Sequence, residues 1–281
     1  MVSKGLQYVG ALLLPLGGFF QGLGQRLEAR RWRSARVYAC WALTNAWIKL
    51  RNRLTRAPQV ACPCCGWEGY DFLTIDCGTF TVPHAECPHC KAHERHRMLH
   101  LYLNRCDRAF FSVDGRVLHF APEAHVRSLL LTNPHLRVIS ADYALYMTQR
   151  FPGPALQTDM QHLALGDATC ELIFCLHVLE HVPDDRRGIA ELHRVLKPGG
   201  VAYVMVPFMM GWPKTVEFGK PDPAIYDHVR GYSPDDFDER LAPFLHERVM
   251  PGDFVSPEEL RRYRIPHDSQ VIYRCTKSAH R

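Results

Sequence analysis

The chain has 281 residues, of which 47% are apolar and 22% charged, so it can bury a large core and has neither a disordered nor a collagen-like composition. Its eleven cysteines include two C-x-x-C knuckles, a pattern that differs from the disulfide framework of a short secreted domain and fits a reducing cytoplasm. Residues 1–57 contain ten basic residues and one acidic residue, a net charge of about +9. Because the whole chain is +5, residues 58–281 carry about −4. This negative charge disfavours binding of a nucleic-acid backbone by residues 58–281.

The first predicted element is a basic amphipathic helical extension over residues 1–57. An apolar run over residues 6–23 is interrupted by Gln7, Pro15 and Gln21, which makes it a poor membrane-spanning helix. Over residues 30–54, tryptophans and aliphatic residues recur near helical spacing among arginines, a composition typical of a basic helix on an anionic bilayer. We therefore expect a cytoplasmic protein held peripherally at the inner membrane. The alternatives are a helix packed on the protein itself and a segment that binds RNA.

A small zinc ribbon is predicted over residues 58–93. Cys62 and Cys65 form one knuckle and Cys87 and Cys90 form the other, and four thiolates are a typical tetrahedral zinc set. Such a site has no open position for water, so we expect the zinc to be structural. Cys64 or Cys77 are possible substitute ligands.

Residues 94–281 are predicted to form a doubly wound α/β domain. Short apolar runs over residues 117–120, 137–141, 171–177 and 201–207 are typical of buried parallel strands, and helical patterns lie between them. Residues 245–249 and 270–277 could pair as a terminal antiparallel hairpin. Ligands in such sheets bind beyond the carboxyl ends of the strands. This places Asp142 where a carboxylate would accept the ribose hydroxyls, and Asp159 and Met160 where an adenine would lie.

Several blocks then carry a family resemblance: VLHFAPE (117–123), ISADY (139–143), TDM (158–160), ELIFCLHVLEHVPDD (171–185) and ELHRVLKPGG (191–200). Over roughly residues 60–277 the chain resembles class I S-adenosylmethionine-dependent methyltransferases, and more closely bacterial ones with an N-terminal zinc ribbon, an ERHR helix and an HFAPE first loop. The resemblance implies a mostly parallel seven-stranded sheet, an enzyme, and S-adenosylmethionine as cofactor. The cofactor-binding residues that it implies are His119, Ala121, Glu123, Asp142, Tyr143, Asp159, Met160 and His177.

The first loop departs from the family pattern. His119, Ala121 and Glu123 stand where acid-x-Gly-x-Gly is usual, and glycines let the backbone approach a ligand closely. The methionine end of the cofactor must then be held differently, and one alternative is a non-enzymatic adaptor that has lost the cofactor. The missing glycines also argue against a dinucleotide, whose pyrophosphate needs a glycine-rich turn.

Methyl transfer needs positioning, and a base if the acceptor must lose a proton. The candidate catalytic residues are His177, His181 and His228, and the alternative is that these histidines only pack or cap locally. The segment 177–181 also fits H-x-x-E-H, but it straddles a strand end, which excludes a helical peptidase motif. A divalent ion held by these histidines and Glu180 is a further alternative. We predict methylation of a small or medium-sized molecule at oxygen, with RNA methylation as the alternative; the sequence predicts no oligomeric state.

Overall fold

The computed structural model describes residues 18, 21–26, 32–78, 80–222, 225–268 and 270–279. Its chain divides into two compact units, one formed by Met1–Ala61 with Trp67–Pro88 and the other by Cys62–Gly66 with His89–Arg281. The apolar run over residues 6–23 lies almost entirely outside the described residues. The predicted three-part division of the chain stays a prediction.

The first unit combines one long helix with two short antiparallel ribbons. Helix α1 spans Trp32–Leu54, and the strands are β1 (Val60–Ala61), β2 (Glu68–Gly69), β3 (Leu73–Asp76) and β4 (Thr81–Glu86). Strand β1 pairs with β2, and β3 pairs with β4. Within the described part of the chain, no helix is both long and apolar enough to cross a membrane.

The second unit is built on one seven-stranded sheet. Its elements are α2 (Glu94–Arg105), β5 (Gly115–Phe120), α3 (Ala124–Leu130), β6 (Leu136–Asp142), α4 (Leu145–Thr148), β7 (Ala155–Gln157), β8 (Cys170–Leu176), α5 (Asp185–Val195), β9 (Leu196–Met205), β10 (Val216–Asp222), β11 (His228–Gly231), α6 (Phe237–Arg240), β12 (Leu245–Val249), α7 (Pro257–Tyr263) and β13 (Ile272–Thr276). The strand order is β12-β13-β9-β8-β5-β6-β7, with β10 and β11 forming a separate antiparallel ribbon.

The pairing of the strands confirms the predicted fold class. The five strands β5 to β9 pair with one another in parallel. Strand β13 runs antiparallel to β9 and pairs with β12 as the predicted hairpin. The chain leaves β5 towards β6 and β7 on one side and returns to β8 on the other. The strand order therefore reverses at β5, which creates a crevice at the carboxyl ends of β5 and β8.

Both faces of the sheet are covered, which explains why the strands are apolar on both faces. Ile189, Leu192 and Val195 of α5 belong to the core cluster on one face. Residues of α2, α3 and α7 form the cluster on the other face, among them Leu99, Leu129 and Leu260. Of the cysteines outside the knuckles, Cys170, Cys175 and Cys275 are buried, but Cys40 and Cys106 are exposed, so apolar neighbours in sequence do not by themselves bury a thiol.

Candidate active site

Several of the predicted site residues lie at one edge of the sheet. Ala121 follows β5, Asp142 ends β6, Asp159 lies two residues beyond β7, and His177 follows β8 directly. Since these strands are parallel neighbours, their carboxyl ends lie at the same edge. The crevice at this edge is where an α/β sheet binds its ligand.

The acids after β6 and β7 are partly engaged by their own loops. Asp142 accepts the backbone N–H of Ala144 on Oδ1 at 2.7 Å, which fixes the turn after β6. Asp159 accepts the backbone N–H of Gln161 at 2.8 Å and both of its carboxylate oxygens accept from the Gln161 amide. Tyr143 is 78% exposed, whereas Met160 is 5% exposed and packs where a side chain on Gly188 of α5 would lie. Met160 is thus part of the core beneath the crevice.

The loop after β5 adopts a backbone conformation that favours glycine. Ala121 has φ +43°, in the left-handed region, and its N–H donates to Ala141 at 2.9 Å. This is a position where the family pattern has glycine, so the loop keeps the expected shape without the expected residue. His177 after β8 has φ +53°, so two adjacent strands both end in a non-glycine residue with strained backbone.

Glu123 is held by the ERHR helix rather than pointing free into the crevice. Arg95 donates to one carboxylate oxygen, and His96 Nε2 lies 2.9 Å from the other. His96 Nδ1 accepts the N–H of His93 at 3.1 Å, so the imidazole proton sits on Nε2, facing Glu123. Burial opposes ionisation of Glu123, but Arg95 and His96 hold its pKa well below the usual range. The carboxylate therefore joins α2 to the first loop.

His119 occupies the position of the family's first acid. It is 1% exposed within β5, and its Nε2 accepts the N–H of Glu123 at 3.4 Å. Burial lowers the pKa of His119 to about 4, so the ring is neutral at pH 7. Its Nδ1 is buried and has no hydrogen-bond partner among the described residues.

The loop after β8 brings the three predicted catalytic histidines near one glutamate. His177 Nδ1 lies 3.6 Å from Glu180 Oε1, and His181 Nε2 lies 4.0 Å from the same oxygen. The rings of His181 and His228 meet edge to face with centroids 4.8 Å apart. One ligand atom each from Glu180, His181 and His228 lies within 4.8 Å of the others.

Three buried polar atoms in this cluster have no hydrogen-bond partner within the described structure: His177 Nε2, Glu180 Oε2 and His228 Nδ1. Burial raises the pKa of Glu180 to about 8, so its carboxyl group is protonated at neutral pH. Burial also lowers the pKa of His177 well below its usual range and that of His228 to about 4, the latter helped by His181. Buried polar groups are normally paired, so these three atoms need partners that a bound ligand or an ordered water would supply.

Arg230 positions this loop, a role that the sequence analysis did not assign. Its buried guanidinium donates to the carbonyl oxygens of Leu179, at 2.9 Å, of Val182 and of Pro183, at 2.7 Å. Glu217 of β10 accepts from the same group at 2.9 Å. Arg230 thereby fixes the loop after β8 to the ribbon that carries His228. The only indication of this role in the sequence is that Arg230, whose side chain has five N–H donors, lies two residues after His228.

The four knuckle cysteines come together. One ligand atom each from Cys62, Cys65, Cys87 and Cys90 lies within 4.8 Å of the others, and Cys62 Sγ lies 3.7 Å from Cys90 Sγ. Gly66, with φ +71°, donates to the carbonyl of Cys62 at 2.9 Å and closes the first knuckle. Cys64 groups instead with His100 and His125, so Cys65 is the better fourth thiolate.

Part of the second unit is similar to a known protein family. Residues 123–204 match the model of the methyltransferase domain family. This match supports the predicted methyltransferase-type enzyme domain over the central part of the α/β unit. A probable S-adenosylmethionine-dependent methyltransferase of Mycolicibacterium smegmatis is 32% identical over 87 residues, which are 28% of this chain and 32% of that protein. The chain thus spans about a third of the length of this curated relative.

The solved structures that align with the chain have low sequence identity to it. The YcgJ protein of Bacillus subtilis aligns with a TM-score of 0.46 at 15% identity, covering 66% of this chain and all of that one. A 1,6-didemethyltoxoflavin-N1-methyltransferase of Burkholderia thailandensis, solved with S-adenosylhomocysteine, aligns with a TM-score of 0.45 at 17% identity, covering 66% and 78% of the two chains.

Proposed function

We propose that the chain is an S-adenosylmethionine-dependent methyltransferase that methylates a hydroxyl group of a small or medium-sized molecule. The observation that carries this proposal is that His177 Nε2, Glu180 Oε2 and His228 Nδ1 are all buried and have no hydrogen-bond partner among the residues described, while Glu180 lies near His177 and within the same cluster as His228. They lie beyond the carboxyl end of β8, beside the crevice in which the cofactor would bind.

The residues around the crevice fit the cofactor. Asp142 uses Oδ1 to fix its own loop, which leaves Oδ2 to accept the ribose hydroxyls. His119 Nδ1 and His177 Nε2 are buried polar atoms that suit the methionine end. Glu123 acts indirectly, since Arg95 and His96 engage both of its oxygens and hold the loop in place. When bound, S-adenosylmethionine supplies an electrophilic methyl group.

A hydroxyl acceptor must lose its proton as the methyl group arrives. The low pKa values of His177 and His228 keep both rings neutral at pH 7, so each offers a lone pair to a hydroxyl proton. His181, which is 41% exposed and touches His228, is the member of the cluster that an entering acceptor meets first. Arg230 holds the two loops together and so keeps these histidines in register.

A divalent ion on Glu180, His181 and His228 remains a second way to activate the same hydroxyl, because their ligand atoms lie within 4.8 Å of one another. Titration of metal-stripped enzyme with Mg²⁺, Mn²⁺ or Zn²⁺ separates the two mechanisms. A rate that rises with one ion and saturates favours the ion, and a rate that is indifferent to all three favours the histidines acting alone.

The acceptor class is tested by transfer of a labelled methyl group. Purified protein is incubated with methyl-labelled S-adenosylmethionine and either a small-molecule extract or total RNA. We expect label in an alkali-stable, low-mass product. Label in RNA that ribonuclease releases as modified nucleosides would favour the RNA methyltransferase instead, and absence of transfer together with absence of cofactor binding would favour the adaptor.

We further propose that Cys62, Cys65, Cys87 and Cys90 hold one structural zinc ion in a ribbon of the bacterial type. A tetrahedron with metal–sulfur bonds of about 2.3 Å has edges of about 3.8 Å, close to the 3.7 Å between the sulfurs of Cys62 and Cys90. The Cys87→Ser/Cys90→Ser variant should lose the zinc and misfold, because the ion supplies folding free energy. Elemental analysis is the measurement, with Cys64→Ser as the matched control that keeps this ion.

A further inference from the structure

Helix α1 of the first unit docks on strand β3 and on the residues just before it through a row of hydrogen-bonding side chains. Trp41 Nε1 donates to the carbonyl of Thr74 at 2.7 Å, and Asn45 both donates to that carbonyl and accepts the Thr74 N–H, each at 2.8 Å. Asn52 accepts the N–H groups of Tyr70 and Asp71 at 2.7 and 3.0 Å. With buried Ile48, these side chains form a row at spacings of four, three and four residues, which is one face of a helix.

The opposite face is apolar and exposed. Leu43, Trp47, Leu50 and Leu54 follow the docked row by two residues each, about 200° around the helix, and their exposed fractions are 69%, 54%, 47% and 67%. Trp32 lies on the same line and is 66% exposed. An exposed apolar stripe of this kind, continuous from Leu43 to Leu54, is typical of an interaction site. The predicted row of apolar residues in this segment therefore divides between two faces, since Trp41 and Ile48 dock while Trp32, Trp47 and Leu54 do not.

Basic residues flank the stripe. Helix α1 contains no acidic residue, and Arg33, Arg51 and Arg53 are exposed on either side of the stripe, with Arg36 in line with it. This arrangement matches an anionic bilayer, since arginines reach lipid phosphates while tryptophan and leucine side chains enter the headgroup and acyl boundary. The helix is too polar overall to cross the membrane.

We propose that the stripe formed by Trp32, Leu43, Trp47, Leu50 and Leu54 binds the surface of an anionic membrane, with α1 lying parallel to the bilayer. The docked polar row fixes which face of α1 points outward, so binding needs no refolding of the helix. The same arginines could bind the phosphates of a nucleic acid, but a nucleic acid has no apolar surface that would bury a row of leucine side chains.

The test is sedimentation of the full chain with vesicles of pure phosphatidylcholine and of phosphatidylcholine with phosphatidylglycerol. Wild-type protein should pellet with the anionic vesicles and stay in solution with the neutral ones. The Leu43→Ala/Leu50→Ala variant keeps good helix formers and should bind at least tenfold more weakly. Leu131→Ala/Leu245→Ala removes two leucines that are 59% and 67% exposed elsewhere, and it should bind like the wild type.

A variant with fewer positive charges tests the preference for anionic lipid, and two further measurements test a second copy of the chain and RNA as alternative partners. Arg33→Gln/Arg36→Gln/Arg53→Gln should abolish the preference for anionic vesicles. The proposal is overturned if wild-type protein ignores anionic vesicles or if the alanine variant binds as tightly as the wild type. It is also overturned if sedimentation equilibrium shows a dimer that the alanine variant dissociates while vesicles leave the wild type unbound, or if the chain retains RNA and ignores vesicles.

Discussion

The loops that follow β5 and β8 each place one glutamate at the same edge of the sheet, Glu123 and Glu180. Arg95 and His96 engage both oxygens of Glu123, and the pKa of that group is held well below its usual range against the effect of burial. Glu180 is 1% exposed, the imidazoles of His177 and His181 lie 3.6 and 4.0 Å from its Oε1, and burial raises its pKa to about 8.

The difference distinguishes a carboxylate with a structural role, Glu123, from the carboxyl group at the centre of the proposed active site, Glu180. Glu123 has exchanged water for two specific partners, so its contribution to stability is favourable. The carboxyl group of Glu180 is removed from water and has few polar contacts that compensate for the lost hydration. Such burial lowers the stability of the folded protein and is typical of a functional site. The two loops can therefore be told apart by opposite responses to the same substitution.

The largest expected effect is on catalysis by the histidine cluster around Glu180, to which strand β11 contributes His228. His228→Asn should lower the rate of methyl transfer by about 10²- to 10³-fold, because it removes a proton acceptor from the cluster, with little change in cofactor affinity. Steady-state kinetics on an identified acceptor is the measurement. His135→Asn, at the amino edge of the sheet, is the matched control. An unchanged rate for His228→Asn would remove this histidine from the chemistry.

The next effect is on the stability of the loop after β5. Glu123→Gln should lower the free energy of unfolding by about 2 kcal/mol at pH 7, because it leaves the partly buried Arg95 without its charged partner. Since the folded pKa of Glu123 lies below the unfolded value of 4.5, this stability is present above pH 4.5 and is lost as the pH falls towards the folded value. Denaturation at pH 7 and below pH 4 should show the deficit shrinking.

Glu180→Gln should have the opposite sign. The folded protein keeps the Glu180 proton to about pH 8 while the unfolded chain releases it near pH 4.5, so wild-type stability falls as the pH rises between these values. The glutamine variant does not titrate and should become more stable than the wild type across that window, by a few kcal/mol at pH 8. A variant that is less stable at pH 8 would mean that Glu180 has a partner in solution.

Much of the fold follows from local pattern, whereas the difference between the two loops does not. Apolar runs such as 117–120 and 171–177 predict strands, and a strand end predicts the place of Asp142. Arg95, which donates to Glu123, lies 28 residues away on α2, and Arg230 reaches Leu179 across 51 residues. Neither pairing leaves a periodic signal, because each depends on two surfaces that meet after folding. The docked asparagines of α1 were missed for the same reason.

A smaller effect concerns the strained backbone of the first loop. Ala121→Gly should raise the free energy of unfolding by up to about 1 kcal/mol, because glycine adopts the left-handed conformation without a Cβ clash, partly offset by its freedom in the unfolded chain. Chemical denaturation measures the change, and Ala124→Gly in the first turn of α3 should be destabilising. An Ala121→Gly variant that is less stable than the wild type would show that the loop relaxes.

The central claim is that this edge of the sheet binds S-adenosylmethionine, and calorimetric titration with S-adenosylhomocysteine tests it most directly. The wild type should bind one equivalent per chain. Asp142→Ala should lose about 2–3 kcal/mol of affinity, because the ribose hydroxyls are left without their acceptor. Asp114→Ala, before the opposite end of β5, should bind normally. Folded wild-type protein that gives no binding heat, or an Asp142→Ala variant as tight as the wild type, would contradict the account.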